Sequence, residues 1–306
     1  MDKDFYKLCQ QKNDCLQAQY ETERKYIYNK YNQEFTVLEG FFDFCIELGK
    51  VLDSYIPEPE KPFLQFALLR IHERALKISR EAKIMMENGS ASGAIARWRT
   101  LFEFSVVANI LIKYPALAPK YIDYAAVDDY KFARRLVEYQ DRLNLFHYDL
   151  SAFHDIEMAY RNVKAKYSWT GKQDYEWAKN DEIKAPNLFN LAKAVGLEHL
   201  YAYVDEAHKY NHPCMRYLLN DRGSKPTEDD LQSYLFSPSG IELPVQLTAI
   251  SLQTINCAVI AGYAQLSSAN GEQLGCYLLQ NKDFPATIIE LVKERILKQE
   301  GQTDAD

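Results

Sequence analysis

Glycine is scarce, 12 residues in 306, and none of it falls into a phosphate-cradling pattern. The chain contains no G-x-G-x-x-G and no G-x-x-x-x-G-K-[ST], so dinucleotide and P-loop chemistry have no foothold. G-x-S-x-G and H-E-x-x-H are also missing, which removes the serine-hydrolase elbow and the zinc-protease helix. No stretch alternates apolar and polar residues beyond a few positions, and nothing repeats at a fixed period. Strands and solenoids are therefore unsupported.

Cysteine is sparse too. Cys9, Cys15, Cys45, Cys214, Cys257 and Cys276 form no C-x-x-C pair, so neither a disulfide framework nor a zinc knuckle is expected. Scattered singly through helical stretches, they read as reduced, small apolar side chains. The N-terminal MDKDFYKLCQQKND has no apolar signal core, which points to a cytoplasmic protein. There is no basic field: 36 Lys and Arg stand against 43 Asp and Glu, a net charge of −7. Bulk binding to duplex DNA is not expected, and local recognition of RNA stays open. Between Glu242 and Glu272 no charged residue occurs, yet Gln246, Thr248, Ser251, Gln253, Thr254 and Asn256 interrupt the only part long enough to span a bilayer. A buried bundle helix, with no membrane partner, is the better reading.

What is present is helical periodicity. With 47% hydrophobic residues the chain can bury a full core, as one large helical domain or two smaller ones. The stretch Ser90 to Tyr114 carries Ile95, Trp98, Leu101, Phe102, Val106, Ile110 and Leu111 on nearly every side, the signature of a central helix. Before it, Phe63 to Met86 places Leu64, Leu68, Ile71, Ala75, Ile78, Ala82 and Met85 on one face, with Asn88-Gly89 as a left-handed stop. The two should form an antiparallel hairpin at the centre of an all-α bundle of about ten helices. Further helices are expected over Phe35 to Tyr55, Tyr121 to Phe146, Ser151 to Tyr167 with Ser151 as cap, a short one in NLFNLAKAV, Glu198 to Asn211, Pro244 to Ser268 and Pro285 to Lys298. The segment YSWTGKQDYEWAKN is turn-like and aromatic, and NDRGSKPTED is the clearest loop. Three spans follow: an N-terminal arm with the first core helix (1–56), a helical core (57–219) and C-terminal helices (220–306). The arm holds Tyr6, Tyr20, Tyr26, Tyr28 and Tyr31 but few aliphatic groups. A homodimer built through it is expected, since aromatic side chains are favoured in surfaces buried against a partner.

Three groups of residues have chemical potential. Asp205, His208 and His212 are offset by three, four and seven, so they share one helix face. Such a face can hold a divalent metal or supply a general acid and a general base, and it is equally read as an ordinary helix end with His212 as its cap. Arg142 and His147 make an Arg-x4-His spacing, which a helix-end histidine beside a surface arginine also explains. Arg70, Glu73, Arg74, Glu81, Arg97, Arg99 and Glu103 lie on the central hairpin, as an internal ion-pair network or as an arginine-lined pocket for phosphate or carboxylate.

The hairpin ENGSASGAIARWRTLFE, then DYEWAK, then LFNLAKAVGLEHLYAYVDEAHKYNH resembles a widespread bacterial all-helical family known only as a domain of unknown function. The matching positions are Gly89, Ala94, Arg99 and Glu103; Tyr175, Trp177 and Ala178; Gly196, Leu197, His199 and Leu200; and Tyr203, Ala207 and His212. They cover Phe63 to Pro213. The core hairpin is in turn similar to HEPN domains, helical bundles many of which are metal-independent ribonucleases of toxin and antiviral defence systems. The resemblance implies an Arg-x4-6-His motif with His212 as its histidine. Here the chain departs from the pattern, since Asp205, Glu206 and Ala207 stand where the arginine belongs. The implied site therefore borrows its arginine from the hairpin: His212 and His208 as acid and base, Arg97 and Arg99 on the phosphate, Tyr203 and Asn211 on the substrate. No cofactor is implied, and Asp205, His208 and His212 stand as the alternative metal set. A non-catalytic helical sensor or scaffold is the competing reading.

Overall fold

A computed structural model describes residues 3–55, 62–143, 150–212, 240–264 and 271–303. Its helices are α1 (Lys3–Lys30), α2 (Asn32–Ser54), α3 (Phe63–Glu87), α4 (Ala91–Lys113), α5 (Ala118–Asp123), α6 (Ala125–Leu143), α7 (Leu150–Tyr167), α8 (Leu188–Ala194), α9 (Tyr201–Asn211), α10 (Glu242–Ala264), α11 (Gly271–Asn281) and α12 (Asp283–Thr303). No strand occurs among the described residues, and ten of these helices are eleven residues or longer. An all-α bundle is what the periodicity requires. The expected loop NDRGSKPTED, His147 and Cys214 lie outside the described residues, while Cys9, Cys45, Cys257 and Cys276 are free thiols.

α4 is the inner helix. Ala94, Trp98, Leu101, Phe102, Val106, Ala108, Ile110 and Leu111 are wholly enclosed, because α3, α9 and α10 pack around it. The turn from α3 is a Schellman motif: Ser90 N–H bonds Met85 O at 2.8 Å and Gly89 N–H bonds Met86 O at 3.0 Å. Gly89 takes φ 70°, a conformation that costs a residue without Cβ little. At Tyr114 the chain bends by 114° into the 115–142 stretch. Pro115 and Pro119 make that corner, and the single helix expected from Tyr121 is interrupted at Tyr124, between α5 and α6.

α10 is the one described helix long and apolar enough to cross a bilayer, and it lies against α3 and α4. Its polar residues are spent inside. Ser251 accepts from Trp98 Nε1 at 2.9 Å, and Asn256 donates to Asn281 Oδ1 at 2.9 Å, as buried polar groups must to be tolerated. The C-terminal helix returns to the N-terminal region, with Phe284 stacked on Phe41 at 4.6 Å and Arg295 forked onto Glu34. Residues from all three spans, 1–56, 57–219 and 220–306, thus line one continuous apolar core.

Some boundaries differ from expectation. α11 has no counterpart among the expected elements, because Gly271 and Gly275 weaken its pattern and only Leu274 and Asn281 are buried. α7 begins at Leu150, so Ser151 lies inside the helix and is not its cap. α12 begins before Pro285, which sits in the first turn where its missing N–H is harmless.

Candidate functional site

Positions two apart on a helix diverge by about 200°. Arg97 and Arg99 therefore leave α4 on opposite sides and cannot serve one site. Arg97 bonds through Nε to Glu81 of α3, clasping the hairpin, and is not brought to the side of α4 that carries Arg99. Arg99 turns the other way. It bonds Glu103, one turn on, at a long 3.4 Å, and its Nε is buried with no partner among the described residues.

The aromatic segment after α7 brings a third side chain here. Its turn is set by Glu176, which accepts the N–H groups of Thr170 at 2.7 Å and Gly171 at 2.8 Å. Gly171 has φ 70°, and a Cβ there would stand 2.7 Å from Tyr160 Oη. Trp177 is buried edge-on to Tyr121 at 4.8 Å, and Tyr124 Oη donates to Gln173 O at 2.6 Å. So anchored, Tyr175 is held at φ 62°, a strained conformation for an aromatic residue, and donates its hydroxyl to Oε1 of Glu103. Burial first, and the Glu103 carboxylate second, push this phenol far above its ordinary pKa, so it remains a donor.

α9 supplies the rest. Tyr201, Asp205 and His208 lie at i, i+4 and i+7, and the Arg99 and Glu103 charges act on both Tyr201 and His208. His212 follows on the exposed end, its ring 5.9 Å from that of His208 and edge-on to it. Burial and the Arg99 guanidinium hold His208 below its ordinary pKa, against the opposing pull of Asp205 and Glu103. The imidazole is therefore neutral near pH 7.

Two expected contacts change. Tyr203 is two positions from Tyr201, hence on another side of α9, and Tyr201 takes its place near Arg99. Asn211 is exposed in the last turn. Asp205, His208 and His212 do not gather as metal ligands, and no group of three His, Cys, Asp or Glu among the described residues does. Tyr201 carries no sequence signal as a site residue, and Tyr175 carries only its match to the family pattern, with no role attached. Both arrive through contacts distant in sequence.

No curated protein and no solved structure matches the chain. A family model does, over residues 65–225, a span that contains Arg99, Glu103, Tyr175, Tyr201, His208 and His212. That match covers more than half of the sequence, and the chain belongs to the family of unknown function DUF5677.

Proposed function

We propose that the chain is a metal-independent, HEPN-like phosphodiesterase acting on RNA, with His208 as general base, His212 as general acid and Arg99 on the phosphate. The observation that carries this reading is Arg99, whose buried Nε has no partner among the described residues, on the helix against which α9 packs and within electrostatic reach of His208. A neutral imidazole can take the proton of a ribose 2′-hydroxyl as its oxygen attacks the adjacent phosphorus. The guanidinium then meets the charge that grows on the phosphoryl oxygens. His212, as general acid, returns a proton to the departing 5′-oxygen. The products are a 2′,3′-cyclic phosphate and a 5′-hydroxyl. Glu103 and Tyr175 position Arg99. We propose also that two copies associate through α1.

The second reading, a non-catalytic sensor or scaffold, is favoured by the ion pairs that occupy both arginines, Arg97 with Glu81 and Arg99 with Glu103.

Cleavage of a mixed-sequence RNA in the presence of EDTA decides between them. The wild-type chain should leave cyclic phosphate ends, and His208→Ala and Arg99→Ala should lose activity by about 100-fold or more. Arg97→Lys should retain it. No cleavage by the wild type, or equal cleavage by His208→Ala, overturns the catalytic reading.

A further inference from the structure

An open cleft of about 610 Å³ lies between α3, α4, α5 and the start of α6. It shares Glu103 and Tyr175 with the Arg99 and His208 cluster but contains neither of those residues. Its volume suits a small molecule. The walls are aromatic: Phe66, Phe104, Tyr121, Tyr124, Tyr175 and Trp177.

The charges that line it are unequal. Arg70 is paired with Glu73 at 2.9 Å, and Glu103 is engaged by Arg99 and Tyr175. Asp128 and Asp174 remain, and a single ammonium, Lys131, serves both, at 3.9 Å and 3.2 Å. Desolvation raises the Asp128 carboxyl above its ordinary pKa; Lys131 opposes this, while Asp174 and Asp129 add to it. An anionic ligand would be repelled here, while a cation would meet two exposed carboxylates that share one ammonium.

The rings themselves already hold cations. Arg70 lies over Phe66 at 5.4 Å and Lys131 over Tyr124 at 5.6 Å, the distance range of cation–π attraction. The chain's own side chains thus show what these ring faces accept. We infer that the cleft binds an organic cation, a protonated or quaternary amine on an apolar or aromatic body, with the amine beside Asp128 and Asp174 and the body against Tyr121 and Trp177. This site is independent of the RNA reading and requires no chemistry at His208.

Calorimetric titration of the full chain with three probes tests it: phenylpropyl-trimethylammonium, phenylpropanol and phenylbutanoate. The ammonium should bind saturably, with the alcohol and the carboxylate at least about tenfold weaker. Asp128→Asn with Asp174→Asn should weaken the ammonium about tenfold while leaving the alcohol unchanged. Thr100→Trp, which fills the cleft from α4, should abolish binding of all three. Equal or tighter binding of the alcohol or the carboxylate overturns the inference, as does no saturable binding of the ammonium at millimolar concentration. Unchanged ammonium affinity in the double amide variant overturns it as well. That variant alters two exposed side chains, so it decides the matter even if Thr100→Trp fails to fold.

Discussion

Tyr175 donates its phenolic hydrogen bond to Glu103, 72 positions earlier in the chain. Glu103 also receives Arg99, so one carboxylate ties the aromatic turn to the guanidinium of the candidate site. Tyr175→Phe removes one donor and leaves a half-buried carboxylate under-satisfied. The expected loss is about 2 kcal/mol, the range for hydrogen bonds to charged groups, read as a lower urea midpoint with unchanged slope. An unaltered midpoint would mean that the bond contributes nothing in solution.

Glu34 is fully buried and takes three contacts of 2.7 to 2.9 Å from Arg295, which also lies over the Tyr31 ring at 4.7 Å. Removing one partner strands a charge inside the protein, whereas removing both exchanges ions for packing. Glu34→Ala should cost about 3–5 kcal/mol, and Glu34→Met together with Arg295→Met should recover most of it. Chemical denaturation of the two variants checks this. A double variant as unstable as the single one would show that the pair contributes attraction well beyond its desolvation cost.

His72 is 2% exposed and donates from Nε2 to the Cys45 carbonyl at 2.9 Å. Burial holds its pKa below the ordinary value, against the raising effect of that bond and of Asn256. Because the folded value is the lower one, the unfolded chain takes up the proton first as pH falls. His72 therefore costs no stability above an unfolded pKa of about 6.5, and the cost grows below it with a slope of at most about 1.4 kcal/mol per pH unit. His72→Gln should flatten the stability profile between about pH 6.5 and 5 relative to the wild type. Parallel profiles would show that His72 is not protonated on unfolding.

The central helix was legible because Trp98, Phe102 and Leu111 leave α4 with no polar side, and its start was legible because only a left-handed residue such as Gly89 completes the turn from α3. Asp205, His208 and His212 could be placed on one face of α9 by spacing alone. Which arginine meets that face could not. Arg97 and Arg99 have the same composition and neighbourhood in sequence, and the two-residue offset sends one to Glu81 and the other to Glu103. Tyr203 and Tyr201 present the same ambiguity. Tyr175 is further out of reach, since its position depends on the backbone bonds that Glu176 collects from Thr170 and Gly171.

The proposed dimer rests on α1. Phe5, Tyr6 and Leu8 are 64%, 54% and 48% exposed, while Ile27 and Tyr31 at the far end of the arm are buried, Tyr31 bonding Glu242 at 2.6 Å. The helix is thus fastened at one end and presents aromatic and aliphatic groups along the rest. A two-fold contact between copies would cover that face and close on itself, which makes a dimer the natural occupant. A truncated chain beginning at Arg24 keeps Ile27 and Tyr31, so it retains the anchor and loses only the exposed part. Sedimentation equilibrium should give a dimer for the full chain and a monomer for the truncated one, with matching thermal melting at low concentration. A monomeric full chain would sink the dimer, and a dimeric truncated chain would move the interface away from α1.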